Sequence, residues 1–316
     1  MKIKDLTANA SFDIFLLVKE MEEDVTRNND PYIKFLFSDG ENDIHGIMWS
    51  VSSEKLGKGV RPGKIIKVRS TVRNYKDNLQ LNITNCRAAE EKDSVDINDF
   101  IKGTPLKPED MFRQLFQEVE NFHNEDLKNI VEKLLADNKD KLIYYPAAKK
   151  VHHAVRGGLL YHVYRMFENA KSMASVYKQH INRELLLSGI ILHDIGKVKE
   201  LDSSELGIVE DYSKEGKLLG HIVEGVIMIH DAADKLGTPQ EVELLLKHMI
   251  VSHHGLEENG SPKKPMTIEA EILHYLDEID ASVYQFEEAL ANTREGHFSD
   301  KQFFLGNVQL YKNNLS

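Results

Sequence analysis

One cysteine, Cys86, in 316 residues excludes a disulfide framework within the chain and any thiolate-rich metal cluster. Also lacking is an apolar run of about 18 residues, the length that marks a membrane-spanning helix. The longest such stretch, residues 185–192, is interrupted by Ser188 and Gly189. The opening Met1-Lys2-Ile3-Lys4-Asp5 has no apolar core of the kind a secretory signal carries. These absences lead us to expect a soluble, cytoplasmic protein with no membrane partner. An excess of positive charge is missing too. The formal net charge of −11, taken as an average, argues against a nucleic-acid binder.

The charge is unevenly spread. Residues 1–90 carry 14 Lys and Arg against 13 Asp and Glu, whereas residues 91–316 carry 26 against 38. Lys55, Lys58, Arg61, Lys64, Lys67, Arg69, Arg73, Lys76 and Arg87 fall within one stretch that holds a single acid, Asp77. Screening cuts off distant acids beyond about 8 Å at physiological salt, so such a local basic stripe can still attract phosphates. The acidic remainder suits a site for divalent cations.

Residues 12–21, 32–37, 44–49, 64–72 and 79–83 read as five strands from their β-branched and aromatic content and partial period-two alternation. The turn Ser38-Asp39-Gly40-Glu41-Asn42 joins two of them, and residues 51–56 are expected to form a short helix between the third and fourth. That order is the order of an OB-fold, a small barrel that often binds single strands. Phe35-Leu36-Phe37-Ser38-Asp39-Gly40, the strand ending in Trp49, Pro62-Gly63-Lys64, and Tyr75 with Leu79-Gln80-Leu81 resemble OB domains of the anticodon-binding type. Phe35 and Phe37 share a face with Ile33 and are expected in the barrel core. Tyr32, Trp49 and Tyr75 are the expected base-stacking residues, with Lys64, Lys67, Arg69, Arg73 and Lys76 tracking phosphates. A polar linker is expected over 91–110.

From residue 111 the apolar spacing turns helical, predicting helices over about 159–180, 183–194, 217–236, 239–254 and 266–291. Along them recur His162, His193-Asp194, His221, His253-His254 and Asp277, each group 23 to 32 residues from the next. That interval is one helix plus a loop, so successive helices can each deliver a ligand to a common centre. Imidazole and carboxylate suit Mn²⁺, Fe, Co²⁺ or Zn²⁺. Taken singly, each histidine is more simply a packed or solvated residue. Asp194 follows the apolar Ile190-Ile191-Leu192, and a carboxylate buried there needs a cation.

His162, His193-Asp194-Ile195-Gly196-Lys197, Gly220-His221, Ser252-His253-His254-Gly255 and Leu273-His274-Tyr275-Leu276-Asp277 resemble the HD superfamily of two-metal phosphohydrolases. Joined to an OB domain, the whole resembles the YhaM-type 3′→5′ exoribonucleases, a likeness extended by Tyr145-Pro146-Ala147-Ala148, Gly158-Leu159 and Gly260-Ser261-Pro262. The fold implied is multidomain: an all-β OB-fold barrel over 1–90, then an all-α HD-domain helical bundle over 111–316. The resemblance implies His162, His193, Asp194 and Asp277 on a first metal, and Asp194, His221, His253 and His254 on a second. Asp280 rivals Asp277 from one helical turn further on. His274, Asp280, His152 and His153 are expected as outer partners of the metals or as substrate contacts. Lys197 is expected either to face the phosphate or to answer a helix dipole.

The expected activity is metal-dependent removal of nucleotides from the 3′ end of single-stranded RNA, with single-stranded DNA as the alternative substrate. Two divalent ions, Mn²⁺ first among them, would activate water, and nucleoside 5′-monophosphates would leave. Two other readings compete. One is an HD phosphohydrolase of cyclic or free nucleotides, for which a basic barrel has little use. The other is a non-catalytic single-strand binder, against which the full ligand set speaks. A homo-oligomer is left open.

Overall fold

The computed structural model describes residues 2–57, 59–75, 78–96, 99–101, 103–148, 155–204, 206–291 and 293–315, without the side chains of Glu210 and Phe304. The chain forms two compact units, residues 1–103 and 104–316.

In the first unit five strands close into a barrel in the order β1-β2-β3-β5-β4. They are β1 (Ser11–Val25), β2 (Pro31–Ser38), β3 (Asp43–Trp49), β4 (Ile65–Tyr75) and β5 (Asn78–Ala88), with β3 and β5 running parallel. This is the strand order of an OB-fold. A 3-10 turn, Ser53–Lys55, stands where a short helix was expected. Alternation sorts the side chains. Ile33, Phe35 and Phe37 are buried with Ile14, Leu16, Val18, Ile66, Val68, Val72, Leu81 and Ile83 in one core. Asp39 shapes the β2–β3 turn by accepting from the backbone N–H groups of Glu41 and Asn42 at 3.0 and 2.8 Å. The segment expected as a linker divides. Residues up to 103 belong to the barrel unit, where Asp93 accepts a two-pronged bond from Arg87, and Pro108 already opens a helix.

The second unit is largely helical: α1 (Pro108–Glu120), α2 (Glu125–Leu142), α3 (Gly158–Val176), α4 (Arg183–Leu192), α5 (Lys197–Glu200), α6 (Lys214–Leu236), α7 (Gln240–Ser252) and α8 (Ile268–Ala291). α4 is the central rod. Asn182 caps it by accepting from the Leu185 N–H at 3.0 Å, and every residue from Leu185 to Leu192 is buried. An all-α bundle was expected, but two short hairpins interrupt it: β6 (Leu201–Ser203) with β7 (Val209–Tyr212), and β8 (His297–Gln302) with β9 (Val308–Lys312). Both are too short and too polar to carry a clear period-two signal. No helix among the described residues is long and apolar enough to cross a membrane.

Candidate metal centre and strand-binding face

The ends of helices build the centre. α4 stops at Leu192, leaving its last carbonyls without partners inside the helix. The His193 ring turns back and donates through Nδ1 to the Ile190 carbonyl at 2.8 Å. α7 repeats the device: His253, just beyond Ser252, donates through Nδ1 to the Ile250 carbonyl at 2.6 Å. His254 does the same to the Asn259 carbonyl at 3.0 Å. A carbonyl only accepts, so Nδ1 must carry the proton and Nε2 presents its lone pair. His162 and His221 are held at Nδ1 by carboxylates instead, Asp280 Oδ2 at 2.8 Å and Glu200 Oε1 at 3.2 Å.

Two glycines make room. At Gly220 (φ +72°) the backbone of α6 breaks, and His221 begins a fresh helical run with its N–H donating to Glu200 at 3.1 Å. Any Cβ on Gly196 would stand 2.0 Å from the His221 carbonyl oxygen, so α6 crosses here only against a bare backbone. The Gly196 and Gly220-His221 signals of the sequence are therefore one packing event.

The candidate ligand atoms gather into two groups that could each hold a metal ion, His162 with His193 and Asp277, and His221 with His253 and His254, each lying within 4.8 Å. Asp194 stands between them. Its Oδ2 lies 3.4 Å from His193 Nε2 and 3.8 Å from His162 Nε2, and its Oδ1 lies 3.6 Å from His221 Nε2 and 3.9 Å from His253 Nε2. The cation that buried Asp194 requires is in part Lys197, whose ammonium is 2.7 Å from Oδ2. Asp194 Oδ1, His221 Nε2 and His253 Nε2 are all buried with no hydrogen-bond partner among the described residues. Three orphaned ligand atoms pointing at one another cost several kcal/mol unless a cation satisfies them. The donor set fits divalent metal ions.

Electrostatics sets the charge of these groups. Burial disfavours the Asp194 carboxylate, but Lys197 and His193 hold its pKa well below the usual range. Asp277 is likewise depressed: burial opposes this, and the hydrogen bond and charge of His162 prevail. Burial lowers His253 and His254, so both rings are neutral. Burial also works against a charge on His162, yet its bonds to Asp277 and Asp280 lift it to about 9. A metal ion held by that group would therefore displace a proton.

Asp280 lies one turn beyond Asp277 and faces the far nitrogen of His162, outside both ligand groups. His274 donates through Nδ1 to the His253 carbonyl at 2.9 Å and packs on Gly255. Lys197 opens α5 and does not close a helix. His152, His153 and Lys76 lie outside the described residues. Glu200 and Arg165 were not foreseen. Their only signal was spacing, three residues after Lys197 and three after His162, which predicts a shared face but no particular contact.

On the barrel, Tyr32 and Trp49 are register partners across β2 and β3, with ring centroids 4.9 Å apart and Trp49 50% exposed. Arg73 pairs with Gln80, and Gln80 with His45, so Arg73 and exposed Tyr75 mark the opposite end of that outer β2–β3–β5 face. Lys67 and Arg69 sit elsewhere, on the part of β4 that pairs with β1. Arg69 is already held by Asp13 through two bonds of 2.7 and 2.8 Å, and the Lys67 ammonium lies over the Phe15 ring. The basic stripe is thus split and partly neutralised. Lys64 is exposed in the turn before β4.

Two histidine groups joined by an aspartate, in a helical unit that follows a five-stranded barrel along the chain, define an HD-type metal-dependent phosphohydrolase joined to an OB-type domain. Residues 159–282 match the HD domain family. The 3′-5′ exoribonuclease YhaM of Geobacillus sp. (strain WCH70) is 40% identical over 300 residues, spanning 95% of this chain and 91% of the relative. The chain belongs to the YhaM family of 3′→5′ exoribonucleases. Among solved structures, the second OB-fold domain of replication protein A from Methanococcus maripaludis is 21% identical over 28% of this chain and 94% of its own, with a TM-score of 0.24. A mitochondrial single-stranded DNA binding protein of S. cerevisiae is 20% identical over 27% of this chain and 98% of its own, with a TM-score of 0.22.

Proposed function

We propose that the protein is a metal-dependent 3′→5′ exoribonuclease that acts on single-stranded RNA in the cytoplasm and releases nucleoside 5′-monophosphates. The observation that carries this reading is the Asp194 carboxylate set between two groups of histidines, with its Oδ1 and two Nε2 atoms unsatisfied. His162, His193, Asp277 and Asp194 would hold one ion, and His221, His253, His254 and Asp194 the other. Such a pair, with Mn²⁺ foremost among the expected ions, would lower the pKa of water toward neutrality and neutralise charge on the scissile phosphate.

The chain's own groups do the rest. Asp194 fixes the distance between the two ligand groups. Lys197, a half-buried lysine whose ammonium lies beside Asp194, is placed to offset negative charge as it grows on the phosphate oxygens. No side-chain nucleophile is needed, and Asp194 cannot attack the phosphate while its two oxygens serve both ligand groups. Water is therefore the attacking group, and the 3′-oxygen of the preceding nucleotide leaves. The barrel holds the strand by stacking bases on Tyr32, Trp49 and Tyr75, while Lys64, Arg73 and Lys76 meet phosphates; Arg69, held by Asp13, and Lys67, over the Phe15 ring, are left out of that path.

Incubation with Mn²⁺ and 5′-labelled single-stranded RNA should give a ladder that shortens from the 3′ end. Cleavage confined to cyclic dinucleotides or mononucleotides would transfer the protein to a different HD activity. For the barrel, stacking contributes about 1–3 kcal/mol per base. Replacing Tyr32 and Trp49 together by alanine should weaken RNA binding by about 30-fold or more at constant salt, with turnover of saturating short oligonucleotides unchanged. Unaltered affinity in a filter-binding titration would remove these two rings from the interface.

A further inference from the structure

The five histidines are held in two different ways. Three lean on backbone carbonyls, which the helices fix whatever the side chains do. The other two, one in each ligand group, depend on a carboxylate that must itself be held. Behind His162, Asp280 is 1% exposed: one oxygen receives Nδ1–H at 2.8 Å, and the other forms an ion pair with the Arg165 guanidinium, 2.6 Å from Nε. The guanidinium continues to Glu287 Oε2 at 2.9 Å and lies over the Tyr161 ring. His162 and Arg165 are three apart on α3, and Asp280 and Glu287 seven apart on α8, so the relay runs along the seam between those helices. Behind His221, Glu200 takes both the ring Nδ1–H and the backbone N–H of the same residue.

We propose that Arg165, through Asp280, and Glu200 are positioning residues, each setting one of the two metal ions independently of the other. This rests on the assignment of the two ligand groups to metals. A ring that loses its outer carboxylate rotates and becomes a weaker base, which typically lowers metal affinity about 10–100-fold. Losing Arg165 frees Asp280 to turn away from His162, and losing the Glu200 charge unpins His221. Neither residue reaches the other group, so each loss should be confined to one ion.

The test is titration of the full-length protein with Mn²⁺ alone, read by calorimetry and by metal content after gel filtration. His162→Ala and His221→Ala serve as references, each expected to retain a single Mn²⁺. In the His221→Ala background, Arg165→Met should weaken the remaining site by about 10–100-fold and Glu200→Gln should leave it unchanged. In the His162→Ala background the two effects should exchange. Arg165→Lys, which keeps the charge but not the planar fork, should lose less than Arg165→Met. If both reference variants still bind two ions, the metal assignment itself fails. If each keeps one ion, and Arg165→Met and Glu200→Gln bind it normally or weaken both sites alike, the positioning roles are wrong.

Discussion

Asp194→Ala should lower RNA hydrolysis by about 10³-fold or more while single-strand binding stays measurable. The size follows from what Asp194 joins. Both ligand groups approach its two oxygens, and the transition-state stabilisation two metals supply is worth several kcal/mol, about a factor of ten for each 1.4. The substitution also strands the Lys197 ammonium, whose side chain is only 13% exposed. Removing one partner of a buried pair costs about 3–5 kcal/mol, so a lower melting temperature should accompany the loss. Asp194→Ala with Lys197→Met separates the two effects. The double variant should regain stability without regaining hydrolysis. Normal hydrolysis by either variant would mean that Asp194 is not part of the catalytic centre.

Mn²⁺ should raise the melting temperature of the helical unit and leave that of the barrel alone. An ion at 100 times its Kd stabilises the native state by about 2.7 kcal/mol. For a unit of roughly 200 residues each kcal/mol moves the midpoint by about 2–4 °C, so one filled site gives about 5–11 °C. The barrel has its own core of Ile33, Phe35, Phe37, Val68 and Leu81 and no part in the ligand groups. Chelation should reverse the shift. Mg²⁺ should produce far less, because it favours oxygen ligands and these groups are mostly imidazole. Calorimetry showing no Mn²⁺-dependent change in the helical transition would contradict the two-metal assignment.

Much of the centre was legible because its residues are of rare kinds at regular intervals. Five histidines and two acidic residues spaced by one helix and a loop leave few arrangements other than convergence. The barrel was legible for a different reason: alternation at Ile33, Phe35 and Phe37 fixes which face is core. What escaped notice were ordinary residues made special by a neighbour far along the chain. Arg165 is a common helix-surface residue until α8 brings Asp280 to it across 115 positions. Arg69 belongs to a basic stripe in one dimension, but Asp13 lies across the strand and occupies it. The two short hairpins gave no period to read.

The sequence by itself determined the kinds of candidate ligand, the order in which helices carry them, and the division into a strand-rich and a helical part, because composition and periodicity are local properties. Only the tertiary structure decided that Asp277 faces the ligand group while Asp280 stands behind His162, that Asp194 shares itself between Lys197 and two sets of imidazoles, and which basic residues of the barrel are already paired. These are outcomes of packing between distant elements, where a rotation of one helical position, about 100°, exchanges a ligand for its support.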